Sequence, residues 1–268
     1  SALTLLIKAR GLNPKAAATD RNLACCNVEA ITGGRLNTII EGAKLDLPVY
    51  GRILRAMASR LKDSNNLGTL LRPERDLEYL IDEERQKLDR SRGMLPGMGV
   101  SDLFSFDTPE KREQFFSGLS SAITRQLDEF VRRSRTMDKD ESHFAGETAK
   151  GLNFLRLVQK RYDVVATNPP YMGRRNMSDI MARYLDSDYV ESKGDLYAAF
   201  IMRCVGLTDQ LGLTAMVTQQ SFMFINSYEK MRDDLRASVA IRTMAHLGPK
   251  AFPNITGEKV NTTTFVFE

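Results

Sequence analysis

The sequence predicts an α/β protein with a mainly parallel sheet and a long helical insertion. Three observations carry this. Short β-branched apolar runs alternate with helical patterns in the C-terminal part. A charge-rich middle shows amphipathic helical patterns with no strand between them. One apolar run ends abruptly in Asn-Pro-Pro-Tyr. The composition suits a folded domain: of 268 residues, 42% are hydrophobic and 27% charged, with 18 Gly and 9 Pro, unlike collagen or a disordered chain. No apolar run approaches the roughly 18 to 20 residues that cross a bilayer, which argues against an integral membrane protein.

Taken in order, residues 1–47 read as the N-terminal part of the α/β core. The opening SALTLLIKAR has no signal-sequence pattern and reads like the middle of a helix, so the N-terminus looks cut. Leu23 to Val28 is a weak strand candidate. Residues 48–160 form the helical insertion, with the helical patterns VYGRILRAMASRL, PERDLEYLIDEERQKLDR and EKREQFFSGLSSAITRQLDEFVRR and a Gly/Pro/Met loop from Arg92 to Gly99. Residues 161–268 are the catalytic part. Their buried strands are expected at Tyr162 to Thr167, Leu213 to Thr218, Ile241 to Leu247 and Val260 to Phe267. Helices are expected at Leu196 to Leu207 and Tyr228 to Val239.

Charge is less informative. With 38 Lys+Arg against 34 Asp+Glu the net charge is +4, so any basic surface must be local. Three cysteines, two of them adjacent at Cys25 and Cys26, give neither a disulfide framework nor zinc-ligand spacing. His143 and His246 have no partner spacing for a metal or a triad. A reduced, cytoplasmic, metal-free protein is expected.

The chemistry concentrates in YDVVATNPPY, where a strand runs straight into Asn168, Pro169, Pro170 and Tyr171. Ligands bind at such strand ends in open parallel sheets. Adenine's exocyclic N6 is a poor nucleophile because its lone pair is delocalised into the ring. Two acceptors holding its N–H hydrogens favour a more tetrahedral nitrogen and free that pair, and Asn168 Oδ1 and the Pro169 carbonyl can be those acceptors. Two prolines fix φ and stiffen the corner, so the carbonyl is aimed in advance. Tyr171 offers a face for base stacking, worth about 1 to 3 kcal/mol per base. The reaction expected is direct displacement of a methyl group from a sulfonium donor, with the protein orienting both reactants. A turn after a strand is the plain alternative, but the tetrapeptide arises by chance in only about one chain in a thousand of this length.

On these residues the sequence resembles the amino-group, adenine-specific DNA methyltransferases, whose signature is Asn/Asp-Pro-Pro-aromatic at a strand end of an S-adenosylmethionine-dependent, Rossmann-like fold. NPPYMGRRNM, KGDLYAAF and TQQSFMF bring it nearer to the PglX-type methyltransferases of bacteriophage-exclusion defence systems. The resemblance implies S-adenosylmethionine as cofactor, double-stranded DNA as partner, other defence-system proteins as possible further partners, and a flipped adenine sandwiched between Tyr171 and Phe267. One departure stands out. The family's glycine-rich donor loop is missing, as is the acidic residue after its second strand. The RGMLPGMG loop does not replace the first, because no strand precedes it. The resemblance then places Ser1 just past the second strand, with a gap in the sheet, and Asn27 near the donor's adenine.

Smaller expectations complete the site. Arg174 and Arg175 follow the tyrosine and can meet phosphate. Asp195, beside Lys193 and Tyr197, fits an N-cap and is also assigned to the cofactor side. Ser221 and Phe222 are placed on the pocket rim. Two other functions stay open: a methyltransferase acting on protein glutamine or RNA guanine through the same tetrapeptide, and a non-catalytic DNA-binding or assembly piece.

Overall fold

A computed structural model of the chain describes residues 48–61, 63–91, 160–249 and 261–268, with isolated positions between 8 and 15 and at 37, 118–119, 121–123, 125, 129, 154 and 157–158. The strand expected at Leu23 to Val28, Asn27, both adjacent cysteines, His143 and the Arg92 to Gly99 loop lie outside the described residues. The chain divides into two compact units, Ser1–Gln159 and Lys160–Glu268.

In the first unit, α1 (Pro48–Leu61) starts with proline at its first position, where the missing N–H costs nothing. Val49 and Ile53, one helical turn apart, are buried together with Leu54. A short helix α2 (Ser64–Leu67) and a 3-10 turn (Gly68–Leu70) lead into α3 (Pro73–Ser91), again opened by proline and with Glu74 and Asp76 in its first turn, where acids favour the helix dipole. Arg52 Nε on α1 donates to Glu84 Oε2 on α3 at 2.9 Å. Burial pushes the Glu84 carboxyl up, but the hydrogen bonds from Arg52 and Lys87 outweigh it and hold the carboxyl below its ordinary value. No strand occurs among the described residues of this unit.

The second unit is a four-stranded sheet with helices against it. Its elements are β1 (Tyr162–Thr167), α4 (Asp179–Asp188), α5 (Leu196–Leu207), β2 (Thr208–Gln219), α6 (Glu229–Ser238), β3 (Ile241–Gly248) and β4 (Thr262–Phe267). The spatial order is β1-β2-β4-β3. β1 pairs with β2 in parallel, while β4 lies antiparallel to both β2 and β3. Thus β1, β2 and β3 point one way and β4 returns between two of them. The α/β class stands, but two of these three pairings are antiparallel, against the expectation of a mainly parallel sheet. The reason is that β4 doubles back against β3 and lies antiparallel to β2 on its other side.

The core sits on one face of this sheet. Tyr197, Ala198, Ile201 and Cys204 of α5 meet Met216 of β2, Phe265 and Phe267 of β4, and Met231 and Leu235 of α6. Each fully buried large side chain contributes about 1.5 to 3 kcal/mol. β2 alternates in register with this face, burying Thr214, Met216 and Thr218. Burial also pushes the Cys204 thiol up to about 11, so it is an inert core residue. The outer strands differ from expectation: Val164 on β1 and Ile241 on β3 are exposed, because each strand has a described neighbour on one side only. Gly212 has its own reason: a Cβ there would stand 2.7 Å from the Tyr162 carbonyl oxygen, at the irregularity where β1 and β2 begin to pair.

Candidate functional site

Parallel β1 and β2 end on the same edge of the sheet, and the site is built there. β1 stops because Asn168 is followed by two residues with no N–H to continue a ladder. Asn168 and Pro170 are exposed, Pro169 is buried, and Tyr171 is half-buried. The amide therefore faces outward, as an acceptor for an incoming amino group must.

Tyr171 is fixed from two sides. Its hydroxyl has one hydrogen and two acceptors in reach, the Val217 carbonyl on β2 at 3.3 Å and Asn168 Oδ1 at 3.4 Å. Its ring meets Tyr197 edge-on, with centroids 6.1 Å apart and planes at 81°. Tyr197 is fully buried, and its hydroxyl lies 2.7 Å from Ser221 Oγ. Burial pushes both phenols up, so each is a neutral hydrogen-bonding group.

The segment after Tyr171 is tied to the start of α5. Asp195 is the N-cap: its Oδ1 accepts from the Tyr197 N–H at 3.3 Å and from the Met172 N–H at 3.0 Å. The Leu196 N–H donates to the Met172 carbonyl at 3.0 Å and the Arg174 N–H to the Gly194 carbonyl at 3.1 Å. Burial pushes the Asp195 carboxyl up, opposed by these backbone donors. A cap that also holds the backbone next to Tyr171 makes Asp195 a positioning residue. Gly194 is needed beside it, since a Cβ there would stand 2.9 Å from the Tyr228 hydroxyl.

The other expected residues divide. Ser221 is half-buried and belongs to the site through Tyr197, whereas Phe222, expected on the rim, is 3% exposed and packs against Phe265 in the core. Arg174 is held by Asp186, which also pairs with Lys193 at 3.3 Å; these cations lower the Asp186 carboxyl, the Arg174 hydrogen bond most. Arg175 is exposed and makes no ion pair or side-chain hydrogen bond among the described residues.

Phe267 is corrected most clearly. It is 2% exposed and stacked on Phe265, with ring centroids 4.1 Å apart. The register pairs it with Thr214, which pairs with Val165, three residues before Asn168. At about 3.3 Å per residue that is roughly 10 Å along the strands from the corner. It fills the core instead of facing a base, because β4 runs opposite to β1 and β2 and its last residue lies away from their carboxyl ends. His246 is exposed on β3, and no group of three or more metal-binding side chains occurs among the described residues.

These residues fit a hydrogen-bonding grip on an amino group. They do not make a donor pocket. No glycine-rich loop after a strand occurs among them, Asn27 lies outside them, and the Oδ1 of Asp195 is committed to two backbone N–H groups. Sequence reading foresaw the cap at Asp195 and missed its bond to Met172, since nothing in the spacing of residues 172 and 195 signals contact.

Comparison with known proteins points to one methylase family. The family model for the Eco57I restriction-modification methylase matches residues 15–252. The adenine-specific methyltransferase BrxX of Escherichia coli O9:H4 (strain HS) is 34% identical over 148 residues, covering 55% of this chain and 12% of that protein. The adenine-specific methyltransferase PglX of Lacticaseibacillus casei (strain Zhang) is 41% identical over 113 residues, covering 42% of this chain and 9% of that protein. The chain thus aligns with only about a tenth of the length of these relatives. A solved structure described as a class I S-adenosylmethionine-dependent methyltransferase, from Listeria monocytogenes, shares 12% identity at a TM-score of 0.32, covering 89% of this chain and 82% of that one, too loose a superposition to build on.

Proposed function

The chain belongs to the Eco57I restriction-modification methylase family, and on that premise we propose that the full-length protein methylates the N6 amino group of an adenine in double-stranded DNA. The carrying observation is the exposed Asn168 amide in a proline-stiffened corner at the carboxyl end of β1, beside a tyrosine ring locked by Val217 and Tyr197. S-adenosylmethionine is the donor in this reading and supplies an electrophilic methyl carbon.

What the chain's own residues do follows from their geometry. Asn168 Oδ1 and the Pro169 carbonyl accept the two amino N–H bonds, so the nitrogen lone pair turns out of conjugation. The two prolines stiffen the backbone that carries both acceptors, which limits the reorganisation left for the reacting state. The Tyr171 hydroxyl can turn to Val217 and leave Oδ1 to the substrate without moving the ring, since its two acceptors are equally near. Tyr171 stacks on the base, and Arg175 contacts a phosphate, which positions the duplex without reading its sequence. Bacteriophage exclusion, with other defence-system proteins as partners in the cytoplasm, extends the same reading.

The test uses the full-length protein with methyl-labelled S-adenosylmethionine, double-stranded DNA and a Gly-Gly-Gln peptide. Label in N6-methyladenine is expected. Label in the peptide alone would shift the grip to an amide nitrogen and sink the adenine reading.

A further inference from the structure

The loop after β2 carries two neighbouring large apolar side chains in solvent, Phe224 at 65% and Ile225 at 47% exposure. Other large apolar residues are exposed among the described ones, but this is the one pair adjacent in sequence. The loop is also held from behind. Arg232 Nη1 on α6 donates to the Phe222 carbonyl at 2.9 Å and to the Ile225 carbonyl at 2.7 Å. The Phe224 and Ile225 N–H groups both return to the Ser221 carbonyl, at 3.2 and 3.0 Å. Phe222 anchors the loop in the core. A backbone this constrained presents an aromatic ring without an ordering cost on binding.

Its place matters as much as its shape. The loop leaves β2 on the edge where Asn168 leaves β1. Ser221, which opens it, bonds to Tyr197, and Tyr197 packs against Tyr171. The exposed ring is therefore carried on the same edge of the sheet as the corner that receives the base. An adenine inside a duplex cannot reach that corner until it leaves the stack, and the departure opens an apolar gap between its neighbours. Proteins that distort DNA fill such gaps with Phe, Leu, Ile or Met wedges.

We propose that Phe224, backed by Ile225, is the wedge that enters the DNA stack as the target adenine swings into the Asn168 corner. This rests on the adenine reading above. It assigns Phe224 the aromatic contact with DNA that the buried Phe267 does not make, directed at the gap left in the stack instead of at the flipped base.

The test compares wild-type full-length protein with Phe224→Ala on two duplexes. One carries a site that the wild type methylates; the other is identical except that an abasic residue faces the target adenine. An unpaired adenine leaves the stack more easily, so a lost wedge costs less there. Phe224→Ala is expected to slow single-turnover methylation about tenfold on the paired duplex and within about twofold on the abasic one. A 2-aminopurine at the target position should lose its fluorescence rise on the paired duplex only. Phe224→Trp should keep the wild-type rate. Phe224→Gln, which preserves bulk at an exposed site, is read in the same way, so a folding defect in one variant does not decide the matter. Equal rates for wild type, Phe224→Ala and Phe224→Gln on the paired duplex overturn the wedge. So does a loss of the same size on both duplexes, which indicates general DNA affinity. Failure of the wild type to methylate any adenine duplex overturns instead the reading beneath it, and the wedge with it.

Discussion

Two levels of one sheet do different work. Past the carboxyl end of β1, Asn168 and Pro170 are exposed and Tyr171 is half-buried, so an amide and part of a ring reach solvent. Three residue rows below, the paired positions Val165, Thr214 and Phe267 belong to a closed core with Met216 and Phe265. The difference teaches that a side chain's role here follows its row and strand direction more than its residue type. Two aromatics expected to sandwich one base are separated because β4 runs against its neighbours.

The contrast should break first at the core level. Phe267→Ala is expected to cost about 3 to 5 kcal/mol in denaturant unfolding, while Phe267→Leu stays folded and keeps methylation near wild type. A folded Phe267→Leu protein with activity down a hundredfold would restore the base-stacking role to this residue. At the upper level the expectation reverses. Asn168→Ala should lower methylation by about 10²-fold or more with no change in melting, since the amide is exposed and holds no core contact. Activity within a few-fold of wild type would remove Asn168 from the chemistry.

The link between the levels is Asp195, which caps α5 and holds the backbone after Tyr171. Asp195→Ala should reduce the turnover rate about tenfold with KM for DNA little changed, and Asp195→Asn, which keeps an acceptor oxygen, should recover most of it. A purely structural cap would instead lower melting in proportion and leave the rate of the folded protein intact.

The smallest effect belongs to the first unit, at the ion pair between its described helices α1 and α3. The Glu84 carboxyl is held below its ordinary value in the folded state, so its contribution is fully present above the unfolded pKa and is lost as pH falls through the lower folded value. Glu84→Gln should therefore cost about 1 kcal/mol near neutral pH, a modest figure because Arg52 is open to solvent, and the gap to wild type should close as pH falls through that lower value. A gap that does not depend on pH would show that packing, not charge, makes the difference.

Much of this was legible in advance. The strand at Tyr162 to Thr167 and the helix at Leu196 to Leu207 match the structure residue for residue, because each has the right period and a clear stop: two prolines for the first, the Asp195 cap for the second. β2 runs longer than expected at its start, from Thr208, since pairing across a bulge at Gly212 leaves no periodic trace. Phe222 and Phe267 look alike in sequence whether they line a site or fill a core. The bond from Asp195 to Met172 spans 23 positions that no local pattern connects.

By itself the sequence determined where most strands of the second unit lie, the two helices at Leu196 and Tyr228, and where β1 must end, because periodicity and proline's missing N–H are local properties. Only the tertiary structure decided that a further helix forms at Asp179–Asp188, that β4 inserts backwards between β2 and β3, that Phe267 is core, and that Phe224 stands in solvent on the same sheet edge as the corner. The last three outcomes depend on strand order and direction, which are set by contacts between residues far apart in the chain.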